Sequence, residues 1–119
     1  PVQSDAHFLA VARYVERNAR RANLVRQAEN WRWSSLWRHS RGDAKTRAIL
    51  STWPVDRPPH WLRQVNRAET PSELEALRHC VRRGRPYGNP RWQTRIAQRL
   101  SLESTLRPRG RPRKTKDMP

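Results

Sequence analysis

Cysteine is nearly missing from this chain of 119 residues: Cys80 stands alone, so no disulfide can form within it, and a reducing compartment is expected. Lysine is almost as scarce, with Lys45, Lys114 and Lys116 the only three among 26 basic residues. Acidic residues number ten. No long apolar run and no lipidation motif is present, which sets a membrane aside as the expected partner. The N-terminus lacks a charged region followed by an apolar one, so no secretory signal is visible. His7, His39, His60 and His79 are each isolated, and no His-x-His pair occurs. Hydrophobic residues make up 34%, too few for more than a modest core with long polar extensions.

What fills the chain is arginine and tryptophan. The formal net charge of +16 creates a field that polyanions feel, and nucleic acid is the default partner of such a chain. Six tryptophans can bury much area in a small fold and make up part of the aliphatic deficit. Trp31, Trp33 and Trp37 are accordingly expected in the core instead of serving as a base-stacking platform. The length suits one small domain.

The periodicity predicts an all-α fold of four or five short helices. Ser4-Asp5 offers a cap for a helix from about Ala6 to Arg20, with Phe8, Val11, Ala12 and Val15 at helical spacing and Asn23 able to end it in a left-handed conformation. A short helix is expected from Trp33 to His39, and another carrying Trp61, Leu62 and Val65. The segment from Gly42 to Pro59 holds few regular signals. Thr70-Pro71-Ser72-Glu73 combines a capping Thr, Pro at the first helical position and Glu three residues after the cap; the helix should run to about Arg83, stop at Gly84 and bury Leu74, Leu77 and Val81. Asn89-Pro90 opens another through Trp92, Ile96, Ala97 and Leu100. No strand pattern is found.

From Ser104 onward apolar residues nearly vanish, and residues 104–119 are expected to be a basic tail, disordered when free. Arg109-Gly110-Arg111-Pro112, flanked by Arg107, Arg113 and Lys114, matches the AT-hook core. An extended Arg-Gly-Arg backbone fits the narrow minor groove of A·T-rich DNA, where negative potential is strongest. Gly allows close approach to the groove floor, and Pro keeps the next residues extended. The same four letters recur at Arg83-Gly84-Arg85-Pro86, where Gly and Pro are better read as helix stop signals.

Tyr14-Val15-Glu16-Arg17-Asn18-Ala19-Arg20-Arg21-Ala22-Asn23-Leu24-Val25 resembles the Tyr-x-x-x-Asn-Pro-x-Arg-Ala-Gly-Leu-Val segment of REP-associated tyrosine transposases, members of the HUH superfamily of single-strand DNA nucleases. The likeness continues through Trp31-Arg32-Trp33-Ser34-Ser35, Leu50-Ser51-Thr52-Trp53-Pro54, Gly84-Arg85-Pro86, Leu102-Glu103-Ser104-Thr105-Leu106 and the basic tail. It implies strand transfer through a 5′-phosphotyrosine, with Tyr14 as nucleophile and Asn18, one helical turn later, contributing to a divalent Mg or Mn site. A bacterial, nucleoid-associated cytoplasmic location and a single-stranded hairpin substrate are implied as well. Ala19 stands where the family has Pro, and Asn23 where it has Gly. The ferredoxin-like domain that carries the His-hydrophobic-His motif in the family is absent from this sequence; it is expected upstream, in keeping with a chain that opens Pro1-Val2-Gln3 without Met. Alone, the chain is expected to bind no metal and to be inactive. Residues 1–25 then form the nucleophile-type helix and turn, 26–103 a helical extension, and 104–119 the tail.

Two other readings compete. A non-enzymatic DNA-binding module, or a decayed transposon remnant, would use the tail alone. An RNA-binding protein of ribosomal type would explain the charge but not the Tyr14-to-Val25 string. His39 and His60 read as surface residues, and Glu73 and Glu75 as helix-start charges, not as an acid–base pair.

Overall fold

The computed structural model describes residues 1–108 and Gly110. Every helix of three or more turns begins where a short polar side chain can take up a free backbone N–H. Ser4 accepts from His7 N and opens α1, Asp5–Glu16. Arg17 separates α1 from α2, Asn18–Arg21, and Asn23 then turns left-handed with φ 59°. A 3-10 turn, Ala28–Asn30, precedes α3, Ser35–Arg41, whose cap is Ser34. The cap lies one residue beyond Trp33, so the helix starts later than the aromatic spacing predicts. Asp43 accepts from Thr46 N at 2.7 Å and opens α4, Ala44–Arg47, inside the stretch read as irregular. His60, left-handed at φ 61°, leads into α5, Trp61–Asn66. Thr70 and Glu73 form the reciprocal capping box of α6, Pro71–Arg83, which ends at Gly84 with φ 65°. Asn89 opens α7, Pro90–Leu100, and a second 3-10 turn follows at Glu103–Leu106.

The fold is all-α. Among the described residues the only extended pairing is an isolated parallel bridge between Val2 and Tyr87. No helix among them is long and apolar enough to cross a membrane.

The core is small. Ala28, Leu36, Trp61 and Val65 are buried together, with Leu9, Ala12 and Trp53 packed against them. Phe8, Trp53 and Trp61 meet edge to face at 5.5 and 5.4 Å between ring centres, the geometry that aromatic quadrupoles favour. Several expected core positions lie outside. Trp33 is 70% exposed and Val15 55%. Val81 and Leu100 are also exposed, whereas Leu77 and Ala97 are buried as expected. The inward stripe passes through Leu9, Ala12 and Glu16 of α1 and on to Ala19 of α2, one position beyond Val15, which places a carboxylate in the interior.

At the other end of the chain, Arg83 donates to the carbonyls of Ser104 and Arg107, and Arg85 to those of Thr105 and Leu106. The second Arg-Gly-Arg-Pro copy is therefore a helix stop whose arginines clamp the turn beneath the tail. Pro86 is fully buried, and its carbonyl accepts from Gln93 Nε2 at 2.8 Å.

Candidate nucleic-acid interface

Arginine on α1 and α2 is organised by a need of α5. A six-residue helix leaves the last of its carbonyls, those of Val65 and Asn66, without partners in the ladder. Three arginines reach carbonyls at its end across more than forty residues of sequence. Arg13 donates to Arg67 O, and Arg17 to Val65 O at 3.1 Å. Arg20 donates to both the carbonyl and the side-chain oxygen of Asn66, at 2.7 and 2.9 Å. Cations at a helix C-terminus also meet its negative dipole end. Asn66 completes the joint by accepting from Ala28 N and donating to Glu29, each at 2.8 Å. Glu69, its side chain only 3% exposed, faces Arg17 at 3.6 Å and Arg21 at 2.8 Å.

Arg21 is the residue that gathers the family-implied site. Its guanidinium carbon lies 4.3 Å from the centre of the Tyr14 ring, within cation–π range. One of its nitrogens donates to Asn18 Oδ1 at 2.7 Å and the other to Tyr14 O at 3.1 Å. Tyr14 is half-buried and Asn18 exposed. Asn18 thus offers one amide oxygen, and it accepts from Arg21. Among the described residues no group of three His, Cys, Asp or Glu side chains is placed to hold a metal ion.

Sequence reasoning passed over Glu16. Its side chain is buried, accepting from Trp61 Nε1 at 2.9 Å and from Ser35 Oγ at 3.1 Å, with Arg57 3.9 Å away. Burial raises its carboxyl above the ordinary value of 4.5; the bond from Trp61, the charge of Arg57 and the bond from Ser35 oppose this and do not cancel it. Arg57 lies in turn over the Trp53 ring at 3.9 Å. The one available signal was the spacing Leu9, Ala12, Glu16, which fits the buried stripe as well as Val15 does.

Of the tail, Arg107 is exposed and contributes its carbonyl to the Arg83 clamp. Gly110 is exposed with φ 130°, a conformation that favours Gly. Arg109, Arg111, Pro112, Arg113 and Lys114 lie outside the described residues. Beside α2 a shallow concavity is lined by Arg17, Arg20, Arg21, Asn23 and Arg26.

Compared with protein-family models, curated proteins and solved structures, the chain matches none.

Proposed function

We propose that this chain binds DNA and is the C-terminal part of a tyrosine transposase of the REP-associated kind, one that cleaves and rejoins single-stranded DNA through a phosphotyrosine. The observation that carries this reading is Arg21, which joins Tyr14 to Asn18. That guanidinium is paired with Glu69, but Arg17 faces the same carboxylate, so two cations answer one anion and net positive charge remains beside the phenol ring for a phosphodiester. When the Tyr14 oxygen bonds to phosphorus the phenol proton is lost, the bond to the 3′ oxygen breaks, and the freed strand carries a 3′-hydroxyl. A cation at that position balances the charge that develops on the phosphoryl oxygens. The tail, with the net charge of +16, supplies attachment to DNA.

The two halves of the proposal are tested separately. Affinity for an A·T-rich duplex is measured across a salt series for the full chain and for one lacking residues 107–116. Deletion is expected to weaken binding and to flatten the salt dependence by about 0.9 in log–log slope for each phosphate no longer neutralised. An unchanged slope removes the tail from the reading, and preference for structured RNA over the duplex removes DNA. For the chemistry, hairpin DNA is offered to the chain together with a His-hydrophobic-His domain and Mg or Mn. A denaturation-resistant adduct is expected with Tyr14 and none with Tyr14→Phe. Binding without any adduct reduces the protein to a DNA-binding module.

A further inference from the structure

Three arginines that the fold leaves without a partner among the described residues line one face of α7. Arg91, Arg95 and Arg99 recur every fourth residue, with Thr94 and Gln98 beside them, and all five are exposed. At 100° per residue they occupy an arc of about 140°. The opposite side is anchored: Ala97 is fully buried, Trp92, Gln93 and Ile96 are half-buried, and Gln93 is bonded to Pro86. None of the three arginines has a hydrogen bond or ion pair among the described residues, in contrast to those of α1 and α2.

This arrangement gives the isolated fold nothing. Arg91 sits in the first turn, where the helix dipole disfavours a cation, and the helix contains no acid to offset it. Like charges four residues apart repel along the same face. A polyanion lying against that face reverses both penalties. The side chains are also those that read DNA: Arg spans O6 and N7 of guanine, and Gln spans N6 and N7 of adenine. Eleven residues make a rod about 16 Å long, and the major groove, about 12 Å wide, admits one.

We propose that α7 enters the major groove of duplex DNA, with Arg91, Arg95 and Arg99 on phosphates and guanine edges. The inference rests on the DNA-binding half of the function proposed above, not on its chemistry. The 3-10 turn Glu103–Leu106 packs against α7, and the tail leaves from that turn.

The test uses the full chain, the triple variant Arg91→Gln/Arg95→Gln/Arg99→Gln, the chain lacking residues 107–116, and the two changes combined. Each is titrated on a short duplex across a salt series. The triple variant is expected to keep the parent's helical signal and melting temperature and to lose between about 1 and 3 in salt slope, at about 0.9 per neutralised phosphate. The combined variant is expected to lose the binding that the tail-deleted chain retains. A second comparison separates site from overall charge. Arg95→Glu and Lys45→Glu remove the same charge, one from α7 and one from exposed α4, and only the first is expected to weaken binding at least tenfold. Equal effects of these two, or a triple variant with the parent's affinity and slope, overturn the inference while the tail keeps its role. A parent chain that binds no duplex overturns the inference and the proposed function together.

Discussion

Glu16 is the residue on which α1, α3 and α5 converge, and it is a charge in a region with little solvent. Its folded pKa lies above its ordinary value of 4.5. The stability it contributes is therefore fully present below 4.5, where the carboxyl is protonated in both states, and is lost as pH rises through the folded value. Glu16→Gln keeps an oxygen for Trp61 and removes the titration. Relative to that variant, the melting temperature of the parent chain is expected to climb as pH falls from 7 toward 4.5. Parallel curves across that range would falsify the account. Trp33 marks the opposite case: a large aromatic 70% exposed, with Arg32 5.6 Å from its ring centre and no core packing to explain it.

At the level of elements, α5 and α6 are held by unequal means. The capping box at Thr70 satisfies two N–H groups in contact with water, and Thr70→Ala is expected to cost about 1 kcal/mol. Glu69 next to it lies between Arg17 and Arg21 with almost no exposure. Glu69→Ala leaves those guanidiniums unpaired and is expected to cost about 3 kcal/mol. Denaturant melts of the two variants, one residue apart, should rank in that order; the reverse would mean that the pair is well solvated.

The same contrast explains which elements could be read from the sequence. The bounds of α6 and α7 were visible because Thr70-Pro71 and Asn89-Pro90 are local signals, as are the left-handed turns at Asn23 and Gly84. The Asp43 cap of α4 was overlooked among prolines and has no apolar stripe behind it. The left-handed turn at His60 was not legible, since nothing local asks a His to adopt it. Glu16 and Val15 differ by one position on a stripe, and only the packing of Trp61, 45 residues away, decides between them. The Tyr14–Asn18 spacing was legible, being one helical turn. The cation that joins them was not, because Arg21 is held in place by distant Glu69.

Across the whole molecule, the net charge of +16 falls into two populations. Arg17, Arg20, Arg21, Arg83 and Arg85 are joints, each bonded to oxygens elsewhere in the chain. Arg91, Arg95, Arg99 and Arg107 face outward. A charge-conserving exchange distinguishes them. Arg20 bonds two oxygens of Asn66 at once from a planar fork that lysine lacks. Arg20→Lys/Arg85→Lys is expected to lower the melting temperature by several degrees, and Arg91→Lys/Arg95→Lys to leave it unchanged. Equal melting temperatures would show that the joints are held by charge alone.

The pairing of the N-terminal segment with the α6–α7 connection has a kinetic consequence. Gln3 N donates to Tyr87 O at 3.0 Å, Tyr87 N to Pro1 O at 2.8 Å, and Asn89 N to Gln3 Oε1 at 2.8 Å, across as many as 86 residues. Closing so long a loop in a flexible chain costs about 4 kcal/mol of entropy, and three hydrogen bonds return about 3 kcal/mol. That seam cannot nucleate anything. It is expected to close once the intervening helices have shortened the loop between its two sides, which puts the docking of the root of α7 late in folding.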